Sequence, residues 1–344
     1  EKSLSHPELV ALLGNGFRAV MPLNDVHAEI LRVNARFLRH GGLPPFFAWK
    51  TNRVDPLNQF EAPERAPAAP PSLQVVAMNN EYRSTAFNLT NTTDEPQSVA
   101  VRVENLPGTG YLSVYQVEFV ETTTGKIVAD PLVPVAPTAE GYVVSVPAGL
   151  TRQVWLTFHP QNLKAGTYDG AVNLSVAPLG QTVELPLKLE IFAPDFPRHP
   201  ALSLCMWDFA NNGFGDIEDA VLSDMRAHHV DTAWGNDDVV PRVKITDIDE
   251  AGNLLAVPDF SVFDAWIKQW EGRGIRYYMV SFNGIRRVFG SMSLGSARFN
   301  RAVSQWAVAW AEHNQSLGIE PGQLAVCIWD EPSTDAHAQQ IVHW

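Results

Sequence analysis

Cysteine and positive charge are both scarce in this sequence. Two cysteines occur among 344 residues, and each lies in a short apolar run typical of a buried strand, LSLCMW around Cys205 and LAVCIW around Cys327. We therefore expect two buried thiols rather than a disulfide, a metal site or a nucleophile. Lysine and arginine number 25 against 38 aspartates and glutamates, giving a formal net charge of -13. This balance, without a basic stripe, argues against nucleic acid as a partner.

Long apolar runs and cofactor motifs are absent from the sequence as well. No stretch approaches the ~18 apolar residues of a membrane-spanning helix, so no membrane span is expected. There is no phosphate-binding loop, nucleophile elbow or dinucleotide fingerprint in a suitable context, so we expect neither a cofactor nor a metal. The sequence begins at Glu1 without a charged and apolar leader, as it would if a signal peptide or an upstream region had been removed.

The composition is that of a globular protein with several domains, in which α and β regions are both predicted. Residues 1–60 are predicted as a helical segment, with Asn24 capping a helix that the Gly41–Gly42 pair ends. One face of this helix carries Val26, Ile30, Val33 and Phe37. Such a face needs a partner, so the segment either docks on the next domain or is the tail of an upstream region. The Pro- and Ala-rich stretch 61–71 is predicted as a linker.

Residues 72–195 consist of short runs rich in Val, Leu, Thr and aromatic residues, separated by Gly, Pro, Asn and Asp. Runs such as QSVAVRVEN and TVELPLKLEIF have the length of strands and alternate apolar with polar residues, as strands with one wet face do. We expect an antiparallel β-sandwich of immunoglobulin-like size.

Residues 200–344 alternate strands with helices, which predicts βαβ units on a parallel sheet with four strands and three helices between them. A (β/α)8 barrel takes about 250 residues, so this region would supply the first half of one, strands 1 to 4. An incomplete parallel sheet has an open edge that is hard to protect. We therefore expect the sequence to be a fragment with a truncated TIM-type barrel.

The candidate site residues follow from a rule about parallel α/β folds, whose active sites lie at the carboxyl ends of the strands. The rule selects Trp207 and Asp208 after strand 1, Trp234 and Asn236 after strand 2, Asn283 after strand 3, and Trp329, Asp330 and Glu331 after strand 4. Indole rings cover the apolar faces of sugar rings, and carboxylates and amides bind sugar hydroxyls. Carbohydrate is therefore the expected partner, although structural packing explains the tryptophans equally well.

The adjacent carboxylates Asp330 and Glu331 are the candidate reaction centre. Glycoside cleavage needs an acid that protonates the leaving oxygen and a second group that stabilises the cation-like centre. Neighbouring carboxylates raise the pKa of one member, and Pro332 indicates a turn at which both side chains could face the substrate. The alternative is a solvated acidic loop at a strand end, which Asp330-Glu331-Pro332 alone would favour. The strand-end position and the tryptophans beside it bring the two interpretations near parity.

Three motifs together resemble a known family. Asn80-Glu81-Tyr82 lies early in the predicted sandwich, an Ala165-Gly166-Thr167-Tyr168-x-Gly170 turn lies late in it, and the fourth strand of the barrel ends in Asp330-Glu331-Pro332. The chain from about residue 72 to 344 resembles glycoside hydrolase family 123 and its relatives of the domain-of-unknown-function 4091 type. The resemblance does not extend to residues 1–60.

The resemblance implies a function. Members of family 123 are retaining β-N-acetylgalactosaminidases in which the 2-acetamido group of the substrate, rather than a protein side chain, attacks the anomeric carbon. Carried over, Asp330 would orient and stabilise the acetamido group, and Glu331 would be the general acid and base. The resemblance also favours an extracellular or periplasmic location.

Two alternatives remain open at this point. One is a glycosidase of another specificity, with Glu331 as the acid and a nucleophile outside this chain. The other is a non-catalytic carbohydrate-binding or structural protein. The acidic pair favours an enzyme, because a binding site has no need of a proton donor. The sequence indicates neither the sugar and its linkage nor the oligomeric state.

Overall fold

A computed structural model describes residues 24–108, 110–124, 127–197, 200–209, 215–282 and 288–344, with the backbone alone for residues 206–209. The chain divides into two compact units, with the division between residues 198 and 199. The first unit is rich in β-strands, and the second alternates strands with helices. No helix in the described ranges is both long and apolar enough to cross a bilayer.

The first unit contains two sheets. Its strands are β1 (Phe46–Trp49), β2 (Leu73–Asn79), β3 (Arg83–Asn91), β4 (Gln97–Glu104), β5 (Leu112–Glu121), β6 (Ile127–Pro134), β7 (Pro137–Thr138), β8 (Gly141–Val146), β9 (Thr151–Phe158), β10 (Gly166–Val176) and β11 (Gln181–Asp195). One sheet has the order β1-β3-β9-β5-β6, and the other has the order β2-β11-β10-β4-β8-β7. All neighbouring strands are antiparallel except β2 and β11, which run parallel.

Both sheets contribute to one apolar core, which makes this unit a sandwich. Phe87 and Leu156 come from the first sheet, and Val101 and Leu187 come from the second. In β2 the side chains alternate between buried and more exposed positions along the strand. This alternation is the period that the sequence displays, because successive side chains of a strand point to opposite faces. The predicted antiparallel sandwich is therefore present, apart from its one parallel pair.

The N-terminal helix α1 (Asp25–His40) begins at the predicted cap, where Asn24 Oδ1 accepts a hydrogen bond from His27 N at 2.9 Å. The predicted apolar face is only partly correct: Ile30 and Val33 are half-buried, but Val26 is 67% exposed and Phe37 is 42% exposed. The buried residues of the helix are Leu31, Asn34 and Ala35.

The reason for this different face is a glycine in the sandwich. Gly149 has φ +65°, and a Cβ on it would collide with the carbonyl oxygen of Leu31 and lie 2.8 Å from Ala35 N. Asn34 Nδ2 donates to Gly149 O at 2.7 Å. The helix therefore docks where the glycine allows the two backbones to approach most closely, with Leu31, Asn34 and Ala35 buried.

The segment before residue 61 also supplies a strand. In β1, Phe46 pairs with Asn91 and Trp49 pairs with Asn88 of β3, so the sandwich begins before residue 72. The Pro- and Ala-rich stretch lies on the sandwich surface, since Ala62 packs on an apolar cluster that includes Trp49. Glu61 O accepts a hydrogen bond from Thr151 Oγ1 at 2.6 Å.

The second unit is built on a parallel sheet of sequential strand order. Its elements are β12 (Leu204–Phe209), α2 (Glu218–Ala227), β13 (Val230–Gly235), α3 (Ser261–Trp270), β14 (Tyr277–Ser281), α4 (Ala297–Ser316), β15 (Leu324–Cys327) and α5 (Asp335–Ile341). The strands lie in the order β12-β13-β14-β15, and every neighbouring pair is parallel. Strands joined through helices in this way confirm the predicted βαβ units.

The helices α2, α3 and α4 cover one face of this sheet. Ala233 and Val280 belong to the same core cluster as residues of all three helices: Leu222, Met225, Phe263, Trp266, Trp270, Phe299, Ala302, Trp306 and Trp310. The four helical tryptophans are core residues, as their i,i+4 spacing predicts.

The two cysteines form no disulfide, and both lie on the opposite face of the sheet. In the strand register, Cys205 is opposite Thr232 and Cys327 is opposite Ser281, out of phase with Ala233 and Val280. Cys205 is exposed and Cys327 is half-buried, so the expectation of two core thiols was wrong. The apolar runs around them indicated strands correctly, but the helices cover only the other face.

Candidate functional site

The site lies at the edge of the sheet where the parallel strands end. β13 ends at Gly235, β14 at Ser281 and β15 at Cys327. Because the strands are parallel and adjacent, their carboxyl ends meet at one edge. The chain segments that come after these residues carry the side chains predicted to form the site.

Asp330 and Glu331 lie in the turn between β15 and α5, and both are exposed. Glu331 has φ +48°, in the left-handed region. A non-glycine residue there costs about 1–2 kcal/mol, so the surrounding structure must stabilise this backbone. Because β15 ends at Cys327, the alternation of strand side chains does not direct these two carboxylates to opposite sides.

The two ends of this acidic turn are joined by an aromatic stack. The rings of Trp329 and His337 have centroids 4.3 Å apart and planes 27° apart. Thr334 Oγ1 caps α5 by accepting from His337 N at 3.2 Å. The stack and the cap together hold the segment that carries Asp330 and Glu331 as a closed loop.

His337 is a residue that sequence reasoning missed, since no metal-ligand or catalytic spacing involves it. Its position as the third residue after a threonine N-cap is visible in the sequence and places it on the first turn of α5. Its contact with Trp329 depends on how the turn folds back, which no local pattern reveals. One face of Trp329 is therefore taken up by His337 and is not open to a sugar ring.

Two of the residues predicted to contact the substrate, Trp234 and Asn236, lie in or just after β13. Trp234 is 6% exposed and lies out of phase with Ala233, on the face of the sheet opposite the helices. Its indole is buried and therefore offers no open platform for a sugar ring. Asn236 is half-buried, and its Oδ1 accepts a hydrogen bond from Asp238 N at 2.9 Å, which shapes the loop after the strand.

The remaining predicted contacts are less fully described. The backbone of Trp207 and Asp208 lies in β12, at the same edge of the sheet as the acidic turn, and their side chains lie outside the described part of the chain. Asn283 lies outside the described residues. The structure therefore describes the side chains of five predicted site residues: Trp234, Asn236, Trp329, Asp330 and Glu331.

The chemistry available at the turn is that of two exposed carboxyl groups next to the Trp329–His337 stack. Carboxyl groups transfer protons and accept hydrogen bonds from amide N–H and hydroxyl groups. In the described ranges, no group of three or more His, Cys, Asp or Glu side chains is placed to hold a metal ion.

Comparison with known proteins gives a structural likeness alone. No model of a known protein family matches the sequence, and no curated protein matches it. A solved family 123 glycoside hydrolase from Clostridium perfringens, studied for glycolipid glycan hydrolysis, matches with a TM-score of 0.52 at 13% identity. The match covers 79% of this chain and 56% of that chain, so this chain spans little more than half the length of that enzyme. The likeness shows a distantly similar fold.

Other solved structures match shorter parts of the chain. The N-terminal domain of PorA covers 42% of this chain and 96% of its own, at 14% identity and a TM-score of 0.23. A FixG-related protein from Vibrio parahaemolyticus covers 33% of this chain and 80% of its own, at 15% identity and a TM-score of 0.20.

Proposed function

We propose that this chain carries the reaction centre of a glycoside hydrolase related to family 123, with Asp330 and Glu331 as its acidic pair. One observation carries the proposal. Adjacent carboxylates occupy the turn between β15 of the parallel sheet and α5, and the second of them, Glu331, has a left-handed backbone. The fold of the chain is distantly similar to that of a family 123 enzyme. Catalytic residues at the carboxyl ends of parallel strands are the rule in such folds.

We further propose that β12 to β15 form the first half of a (β/α)8 barrel. Two features support it: the strands succeed one another in sequential order, and α2, α3 and α4 share one core on a single face. A doubly wound sheet has helices on both faces instead. In a barrel the opposite face, which carries Trp234, would line the interior.

The proposed reaction is substrate-assisted and retaining. The acetamido oxygen of the sugar bonds to the anomeric carbon while the glycosidic C–O bond breaks, and Glu331 gives its proton to the departing oxygen. Asp330 accepts a hydrogen bond from the acetamido N–H, which stabilises the positive charge on the oxazolinium ring. The Glu331 carboxylate then takes a proton from water as the water oxygen bonds to the anomeric carbon and opens the ring.

The proposed substrate is a glycan with a terminal β-linked N-acetylgalactosamine. A substrate-assisted reaction needs no protein nucleophile, so the acidic pair is sufficient for the chemistry. A 2-acetamido group is then indispensable, and sugars with a 2-hydroxyl group should not react.

Hydrolysis of chromogenic substrates tests this function. We expect the protein to cleave 4-nitrophenyl N-acetyl-β-D-galactosaminide in preference to the glucosaminide, and a thiazoline that mimics the oxazoline to inhibit it. Cleavage of 4-nitrophenyl β-D-galactoside at a similar rate would instead indicate a protein nucleophile. Binding of glycans without turnover of any of these substrates would identify a non-catalytic carbohydrate-binding protein.

A further inference from the structure

The sandwich has a cleft of its own, about 410 Å³ in volume. It lies where β9 ends and where β3 and β5 begin, because Phe158 at the end of β9 pairs with both Arg83 and Leu112. The side chains that line the cleft belong to Tyr82, Tyr111, Ser113, His159, Gln161 and Asn162. The proposed hydrolytic reaction uses none of these residues.

The lining of the cleft carries no fixed charge. None of the lining residues is Asp, Glu, Lys or Arg, although the chain as a whole has a formal net charge of -13. A phosphate or carboxylate group would find no lysine or arginine here, and a cation would find no carboxylate. The chemistry of the lining therefore fits a neutral ligand with hydrogen-bonding groups.

A flat aromatic surface is the main apolar feature of the cleft. The rings of Tyr82 and His159 are stacked, with centroids 3.9 Å apart and planes 10° apart. His159 covers one face of the Tyr82 ring, yet Tyr82 is 44% exposed. The exposed area of Tyr82 therefore lies on the other face and the edge of its ring. A fixed aromatic face of this kind packs against the apolar C–H face of a sugar ring.

Polar side chains surround that surface. Ser113, Gln161 and Asn162 are exposed and line the same cleft. A serine hydroxyl and side-chain amides both donate and accept hydrogen bonds, which suits the hydroxyl groups of a sugar. An aromatic face with neutral donors and acceptors beside it is the combination that sugar recognition needs.

The cleft is held in place by the turn that precedes β3. Asn79 Nδ2 donates to Leu163 O at 2.9 Å, and Asn79 Oδ1 accepts from Leu163 N at 3.0 Å. Asn80, with φ +65°, donates from its backbone N to Pro160 O at 2.7 Å. The turn that carries Tyr82 is thus bonded at several points to the loop after β9.

The segment before β5, which carries Tyr111, is bonded to the same loop after β9. His159 N donates to Tyr111 O at 2.8 Å, and Asn162 has a left-handed backbone with φ +57°. A site whose segments are already fixed loses little conformational entropy when a ligand binds.

We propose that this cleft is a carbohydrate-binding subsite in which Tyr82 stacks on a neutral sugar ring and Asn162 binds its hydroxyl groups. The subsite belongs to the sandwich unit and does not depend on the proposed reaction. Its ligands need no 2-acetamido group.

Amide chemical shifts of the 15N-labelled protein test this proposal. The probes are methyl β-D-galactopyranoside, methyl β-D-glucopyranoside and methyl α-D-mannopyranoside, none of which can take part in a substrate-assisted reaction. We expect at least one of them to shift the amide signals of Tyr82, Tyr111 and Asn162 in a saturable way. Absence of saturable shifts at these residues with all three probes would overturn the proposal.

Variants assign the binding to the aromatic face. Tyr82→Ala should weaken binding about tenfold or more, and Tyr82→Phe should retain it. Phe192→Ala is a matched control, because Phe192 is an aromatic residue of the same unit that is 48% exposed and lies outside the cleft. Unchanged affinity in Tyr82→Ala would contradict the proposal.

Asn162→Gly provides a second variant should Tyr82→Ala fail to fold. Glycine keeps the left-handed backbone at residue 162 and removes the amide. Weaker sugar binding by a folded Asn162→Gly protein supports the subsite, and unchanged binding contradicts the role given to Asn162.

Discussion

The imidazole of His337 stacks on the indole of Trp329 and thereby joins the first turn of α5 to the residue after which the acidic pair begins. Asp330 and Glu331 lie between the two stacked residues in the chain. The position of both carboxylates therefore depends on a contact that neither of them makes.

Removal of this stack should loosen the acidic turn. An aromatic pair contributes about 0.5–1.5 kcal/mol, which corresponds to roughly a twofold to twelvefold change in the opening equilibrium. We expect His337→Ala to raise by that factor the hydrogen exchange rate of the Ala338 amide, which donates to Thr334 O at 3.1 Å and closes the end of the turn. His337→Phe should preserve the stack and the slower exchange. Equal exchange rates in the Ala variant and the original protein would show that the stack does not hold the turn.

The left-handed backbone of Glu331 gives a second prediction. Glycine adopts φ +48° without the clash that a Cβ makes, but it also loses more entropy on folding. Glu331→Gly should therefore be more stable than Glu331→Ala by about 0.5–1 kcal/mol in urea unfolding.

Asp330 provides the control for that comparison, because it is not among the residues with positive φ. At this position glycine brings only the entropic cost, so Asp330→Gly should be less stable than Asp330→Ala. The same order at both positions would be evidence against a left-handed Glu331.

The docking of α1 on the sandwich is tested at Gly149. Gly149→Ala introduces a Cβ against the carbonyl of Leu31 and forces a left-handed alanine, which should cost about 3 kcal/mol or more. Gly180 has a similar φ of +58°, and a Cβ added there would meet no atom within 4 Å, so Gly180→Ala should cost only about 1 kcal/mol. Chemical unfolding of the two variants measures the difference. Equal losses would mean that α1 does not press against Gly149.

A pH-dependent contact also links α1 to the sandwich. Arg39 Nη2 lies 2.7 Å from Asp94 Oδ1, and this hydrogen bond lowers the pKa of the Asp94 carboxyl. A lowered pKa in the folded state stabilises the protein above the unfolded pKa of about 3.9, and this contribution disappears as the pH falls through the folded value. Asp94→Asn should therefore reduce stability at neutral pH, and the difference from the original protein should shrink below about pH 4.

Asp169→Asn is the matched control for Asp94. Asp169 is mostly exposed, with Lys188 Nζ 3.8 Å away. A solvent-exposed pair of this kind contributes little to stability, so this substitution should leave the unfolding curve nearly unchanged at either pH. A loss as large as that of Asp94→Asn would mean that the effect is one of net charge rather than of the contact with Arg39.

Local patterns in the sequence predicted the elements better than their contacts. The cap at Asn24, the alternating strands of the sandwich and the parallel sheet of the second unit all depend on signals within a few residues. The strand Phe46–Trp49 was missed because a four-residue apolar run next to prolines has no period that distinguishes it. The buried face of α1 was predicted only in part because it depends on Gly149, which lies far away in the chain.

In the candidate site too, local patterns predicted positions along the chain but not the contacts between residues. The positions of Asp330 and Glu331 after a strand could be predicted from the strand-end rule. The left-handed backbone of Glu331 and the stacking of His337 could not, because both depend on how the turn folds back. Tyr82 was recognised only as part of a motif, and its contact with His159 becomes visible only when β3 and β9 pair.

The dependence of Glu331→Gln activity on the leaving group is the most direct test of the acidic pair. 4-Nitrophenolate leaves without a proton, whereas methoxide needs an acid. Glu331→Gln should therefore lower kcat/KM for methyl N-acetyl-β-D-galactosaminide by at least about 10²-fold, and for the 4-nitrophenyl glycoside by much less. An equal loss for both substrates, or no loss for either, would contradict the assignment of Glu331 as the general acid.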